Sequence, residues 1–229
     1  MRFQGETKSE APEQDKSYTG ILHEHDVSQA QREKRVELLQ QLSKPQFNSG
    51  NKANAVIAHL SEGALEAADV QALVNILLKV GEVDTLSVIL HSPGGDGTVV
   101  ERFVSLCRVQ CKRFRVIIPH QAKSAATLIS LGADEIVMGP TSELGPIDAQ
   151  VRVTSGGVWR YISAQSFINA RDGLIKKYSE LSAAGGDVTP ILQMLASVDL
   201  PFTSHCESLM DFGRDVARKL LSEVHAEEL

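Results

Sequence analysis

The feature that most constrains this chain is a rhythm. Between residues 54 and 139 short apolar runs alternate with amphipathic stretches, and Gly or Pro punctuates the joins. AVIAHL (55–60) reads as a buried strand. ALEAADVQALVNILLKVG (64–81) reads as a helix, with Val70, Leu73, Val74, Leu77 and Leu78 on one face and Gly81 as its stop. TLSVILHS (85–92) is a second strand, ended by Pro93-Gly94-Gly95. A helix over 98–111 presents Val100, Phe103, Val104, Cys107 and Cys111 on its buried face. FRVIIPH (114–120) is a third strand, SAATLISLG (124–132) a short helix, and EIVMG (135–139) a fourth strand closed by Pro140. Strands and helices alternating at this spacing need crossover connections, which build a parallel sheet. The fold class is therefore α/β.

Around this block the pattern changes. Residues 1–20 are polar and read as a flexible tail. An N-terminal helical segment falls within 21–53, where VSQAQREKRVELLQQLS (27–43) sets Val36, Leu39 and Leu42 in a thin apolar stripe. The main domain is 54–229, with a motif-bearing core over 54–150 and a helical C-terminal part over 161–225. Its helices fall at 161–182, 189–199 and 204–225, separated by AAGGD and by Pro201.

Composition narrows the function. The apolar fraction is 42% and the charged fraction 23%, enough for a globular core. Twenty-three basic against 29 acidic residues leave a net charge of −6, which argues against nucleic acid as a partner. Three cysteines do not make a disulfide framework. No run approaches a membrane span, and the N-terminal residues lack the apolar stretch of a signal peptide, so a cytoplasmic location is expected. No Walker A pattern occurs and no cofactor is expected.

In open α/β sheets, sites form at the carboxyl ends of strands. Three such ends stand out. In His91-Ser92-Pro93-Gly94-Gly95-Asp96, two glycines let backbone N–H groups face a cleft with no Cβ in the way. In Pro119-His120-Gln121-Ala122-Lys123-Ser124-Ala125-Ala126, Ser124 falls at a helix start among small residues, where it is either an N-cap or an activated hydroxyl with the Ala125 N–H beside it. GPTSELGPIDAQ (139–150) is a polar loop with one carboxylate near its end, Asp148.

Taken together, SPGGD, a serine 29 positions after Gly95, and LGADEIVMGPTSELGPIDAQ resemble the Clp-peptidase/crotonase superfamily. Within it, the motifs are most similar to the serine dehydrogenase proteinase family, relatives of signal peptide peptidase A. The resemblance covers about residues 54–150. It implies a spiral of βαβ units with a mainly helical C-terminal region. It implies Ser124 as nucleophile, and an oxyanion hole from the N–H of Gly94 or Gly95 and that of Ala125. It also implies a peptide or protein substrate and a homo-oligomer, a trimer or ring.

The general base departs from the Clp pattern, since no His lies between His120 and His205. Asp148 occupies that region. Lys176, 52 residues after Ser124, has the spacing of a Ser-Lys dyad, with Lys177 as near substitute. A lysine serves as base only when desolvation or a neighbouring cation lowers its pKa. His91 and His120 read as structural, and Lys123 as pointing away from Ser124. Cys107 and Cys111 read as core. His205-Cys206 lacks a partner pair, so no metal is expected. Trp159 and Tyr161 read as packing anchors.

Three functions compete on this basis. The first is a serine peptidase working through an acyl-enzyme on Ser124, its base a lysine. The second is a catalytically silent scaffold or peptide-binding protein of the same fold. The third is an acyl-CoA enzyme of the crotonase branch, against which the Ser124 context argues.

Overall fold

The computed structural model describes residues 54–225, together with 33–34, 37–38 and 41. The chain forms two units, Met1–Asn48 and Ser49–Leu229. In the first, the described residues are helical and exposed, and Lys34 pairs with Glu37 one turn on at 2.8 Å. The tail expected over 1–20 and the stripe Val36, Leu39 and Leu42 lie outside the described residues.

The second unit opens with the expected alternation: β1 (Asn54–Leu60), α1 (Ala67–Val80), β2 (Val83–His91), α2 (Val100–Val109), β3 (Cys111–Ile118), β4 (Gln121–Ala122), α3 (Ala125–Leu131) and β5 (Glu135–Met138). The main sheet runs in the order β1-β2-β3-β5, and all its pairs are parallel. Strand order equals chain order, so right-handed crossovers set successive helices along one face of the sheet. This is the spiral of βαβ units that the motifs imply. Gln121-Ala122 of β4 pairs in parallel with β6 (Glu143–Leu144) as a second, smaller layer.

The core lies between sheet and helices. Leu86, Val88 and Leu90 of β2, Phe114, Val116 and Ile118 of β3, and Val100, Phe103, Val104 and Cys107 of α2 are all buried. Each such side chain contributes about 1.5–3 kcal/mol of burial. Arg108 and Asp134 pair at 2.9 Å, and Asp134 also accepts the Phe114 N–H at 2.7 Å. The α2–β3 joint is thereby fixed to the entry of β5.

Two residues leave the places expected for them. Leu78 is 78% exposed, because the face that α1 buries is the narrower Val70, Leu73 and Leu77. Cys111 starts β3 instead of ending a helix: its β-branched and aromatic followers pair with β2 from Val83 onward.

The C-terminal part also starts differently. Residues 150–163 form an antiparallel hairpin, β7 (Gln150–Ser155) and β8 (Val158–Ser163), so the helix expected from 161 begins three residues later. Gly156 and Gly157, with φ of 59° and 76°, supply the two left-handed residues of a tight turn whose twist suits a hairpin. Then come α4 (Ala164–Ala183), α5 (Thr189–Ala196) and α6 (Leu200–His225). Pro201 does not separate helices but sits in the first turn of α6, where its missing N–H costs nothing. Val216, Ala217 and Leu220 of α6 return to the main core, while Val151, Ala164, Ile168 and Cys206 make a small second cluster.

Candidate functional site

Two loops at the carboxyl ends of β2 and β3 are laced together by backbone. Ser92 N–H donates to Gln121 O at 3.1 Å, and Lys123 N–H donates to Ser92 O at 3.1 Å. On its other side the Pro-Gly-Gly turn is held by Leu65, whose N–H donates to Gly94 O at 2.7 Å and whose carbonyl accepts the Asp96 N–H at 2.9 Å. The turn has no room for side chains. A Cβ on Gly94 would stand 2.5 Å from Lys123 O and 2.6 Å from Ser124 Cβ, and one on Gly95 would collide with the backbone N and O of Leu65. Both glycines also have positive φ, 99° and 153°.

Ser124 carries the strain of this junction. Its φ of 51° and ψ of −119° make it the one non-glycine with positive φ among the described residues. Such a conformation costs on the order of 1–3 kcal/mol and persists where its surroundings enforce it. Here they do: Ser124 N–H donates to Pro146 O at 3.1 Å, and Leu128 N–H to Ser124 O at 3.1 Å. The hydroxyl does not cap α3, so the N-cap alternative is set aside. Among the described residues the hydroxyl has no hydrogen-bond partner, and neither the Gly95 N–H nor the Ala125 N–H meets an acceptor. The Gly94 N–H donates to Ser92 Oγ at 3.1 Å, so Gly95 offers the free donor of the two.

These groups open into a cleft of about 600 Å³. Its wall includes Leu65, Glu66, Lys123, Ser124, Asp148 and Tyr161. Asp148 is therefore brought to Ser124's cleft, and among the lining carboxylates it has neither a hydrogen bond nor an ion pair within the described residues. Glu66 belongs to the capping box of α1, and Asp96 accepts from the N–H and Oγ1 of Thr98 at 2.8 and 2.7 Å.

Lys176 is not brought there. It lies on α4 with its side chain 79% exposed and Nζ 3.9 Å from Glu180 Oε1, and Lys177 is exposed beside it. The burial that would make either a base is missing from this chain's own fold. Lys123, expected to point away from Ser124, is among the residues lining the cleft, and its side chain runs to Gly145 and Glu143. Its stem lies where a Cβ on Gly145 would stand, 2.5 Å from Cγ, and its Nζ is 3.2 Å from Glu143 Oε2.

The histidines are structural in position. His91 and His120 stack with centroids 5.5 Å apart, and His91 Nε2 lies 2.8 Å from Glu62 Oε1. They brace the roots of the two loops without lining the cleft. Thr127 carries no sequence signal, yet its buried Oγ1 lies 2.8 Å from Ala122 O and 3.0 Å from Gly145 O, joining the serine loop to the Asp148 loop. Trp159 and Tyr161 are not the packing anchors expected of them. Each is 60% exposed, and Tyr161 lines the cleft. Cys107 is buried, and burial pushes its thiol far above the ordinary range. Cys111 is raised by the same cause and donates to Cys107 O at 3.1 Å.

The second and third strand ends of the parallel βαβ spiral thus press a Pro-Gly-Gly turn against a strained serine. Residues 66–158 match the family described as ClpP-like SDH-type serine proteinases, and Gly94, Gly95, Ser124 and Asp148 all fall inside the match. The recognition drawn from the motifs holds for this segment.

Two uncharacterised proteins of Methanocaldococcus jannaschii are each 38% identical to it over 66 residues, 29% of this chain and 23% of theirs. The match thus spans under a quarter of these curated relatives. Similar solved structures include two variants of a membrane-bound stomatin-specific protease, 1510-N, one of them with a substrate peptide. They have a TM-score of 0.39 and 16% and 17% identity, and cover 60% of this chain and 68% and 64% of theirs. A ClpP1 variant from Listeria monocytogenes has a TM-score of 0.34 and 14% identity, covering 59% of this chain and 77% of its own.

Proposed function

We propose that this chain is a serine peptidase with Ser124 as nucleophile. The observation that carries the reading is the Ser124 junction: a strained backbone presents an unbonded hydroxyl to a cleft between two unbonded N–H groups. Ser124 Oγ attacks the scissile carbonyl carbon, and its proton passes to Asp148. The carbonyl oxygen, now an oxyanion, is held by the N–H groups of Gly95 and Ala125, each worth about 3 kcal/mol in the transition state. As the C–N bond breaks, the proton goes to the leaving amine. Water then cleaves the acyl ester and restores the Ser124 hydroxyl, its second proton shuttled through Asp148.

Asp148 takes the base role that sequence spacing gave to Lys176, because among the described residues it is the cleft carboxylate without a hydrogen bond or ion pair. Lys123 adds a positive charge to the same cleft. A homo-oligomer is part of the reading: α5, PILQML after its first residue, buries none of its side chains within the chain.

A second reading, a silent peptide-binding scaffold, rests on one observation: among the described residues no imidazole or amine is bonded to Ser124 Oγ. Turnover of fluorescently labelled casein separates the two. A peptidase cleaves it and loses that activity in Ser124→Ala. A scaffold gives the same null rate in both proteins.

A further inference from the structure

We infer that the outward face of the β7–β8 hairpin is the cleft's docking strip for an extended peptide, with Tyr161 and Trp159 holding a large apolar side chain of that peptide and the acidic cleft taking a basic one beside it. The inference deepens the peptide-binding part of the reading above and rests on it. Its ground is continuity. Tyr161 is a wall of the Ser124 cleft, and Trp159 stands two residues away on the same face of β8. Their rings meet edge to face at 5.7 Å and 79°, which fixes them as one surface. Yet each ring is 60% exposed.

Packing does not explain that exposure. The hairpin's opposite face is its anchor, through Val151, which is buried with Ala164, Ile168 and Cys206. The neighbours across the strand on the aromatic face are polar: Arg152 opposite Tyr161 and Thr154 opposite Trp159. They leave the rings uncovered. The hairpin is also a sheet of two strands, so among the described residues each strand has one edge free to pair with an extended chain.

Charge supplies the second half. The cleft wall carries Glu66, Asp96 and Asp148 against Lys123, whose Nζ lies 3.2 Å from Glu143, and Arg152 stands on the hairpin opposite Tyr161, outside that wall. A peptide carboxylate entering here meets like charge, and a Lys or Arg side chain meets three carboxylates. The occupant is therefore a polypeptide segment that is both apolar and basic.

Trp159 is the chain's single tryptophan, so its emission reports this face alone. Ser124→Ala protein, with its circular dichroism matched to wild type, is titrated with an unstructured decapeptide carrying one Phe and one Lys. Saturable change in Trp159 emission is expected, at least tenfold tighter than for the same peptide with Phe→Ala or with Lys→Glu. Tyr161→Ala in that background is expected to weaken it about tenfold.

Anisotropy of a dye-labelled copy of the peptide records binding wherever it occurs. Binding that leaves Trp159 silent, indifference to Tyr161→Ala, preference for the Glu peptide, or no binding of any peptide overturns the inference. Fluorophosphonate labelling of wild type keeps the two readings apart. Labelling with a silent Trp159 defeats the strip alone, and a responsive Trp159 without labelling defeats the catalytic reading alone.

Discussion

In the sheet block, Leu86, Val88, Leu90, Val100 and Val116 are each sealed to 0% exposure. In the arm that begins at residue 150, α5 seals nothing, and Leu192, Met194 and Leu200 stand 49%, 53% and 63% exposed. The block is shaped by its own side chains. The arm is held by a small cluster and by the return of α6 to the block, and its remaining apolar surface faces outward. The candidate site lies on the seam between them. Its backbone comes from the rigid block, and Gln150 and Tyr161 come from the arm. Buried side chains surround the strained serine, and the exposed apolar surface lies on the arm.

The comparison breaks most readily at its rigid end. Gly95→Ala drives a Cβ into the Leu65 backbone, so Ser124 probe reactivity should vanish and the melting temperature fall. Phe103→Ala in the block should cost about 3–5 kcal/mol, whereas Leu192→Ala in the arm should stay within about 0.5 kcal/mol for the monomer, both read by urea denaturation.

At the seam, Asp148→Asn should slow probe labelling by roughly 10²–10⁴-fold, and Lys176→Ala should leave it unchanged. A loss in Lys176→Ala with none in Asp148→Asn would return the base to the lysine. Thr127→Val removes the donor shared between the Ala122 and Gly145 carbonyls. It should cost about 1–3 kcal/mol and slow labelling, with both recovered in Thr127→Ser.

The smallest effect concerns thiols. Burial raises Cys107 and Cys111, so at pH 8 both stay protonated and react slowly with a thiol reagent until urea opens the block. The sign follows from linkage. A thiol raised by folding contributes stability below its unfolded pKa, and that contribution is lost as pH climbs through the folded value.

The block was legible because its signal is local. Apolar runs of strand length, Gly and Pro stops, and the helix face of Val70, Leu73 and Leu77 all lie within one element. The loops bearing Ser124, Gly94 and Gly95 were legible for the same reason, since their residue types follow from tight backbone approach.

What stayed hidden depends on distant packing. Lys176 sits on a helix whose sequence does not say which neighbour it faces. Ser124's own φ of 51° is a backbone conformation that no side chain announces. Thr127 reads as an ordinary helix residue until the Gly145 loop folds over it. The hairpin does carry a signal, two glycines between the alternating VRVT and VWRYI, but the aromatic and charged residues of VWRYI also suit the start of a helix.

The central claim is that Ser124 is an activated nucleophile. Its most direct test is a fluorophosphonate probe applied to the folded protein, with the adduct located by mass spectrometry. The account expects one adduct, on the peptide containing Ser124, absent from Ser124→Ala. A well-folded wild type that carries no adduct, or carries it on another residue, would contradict it.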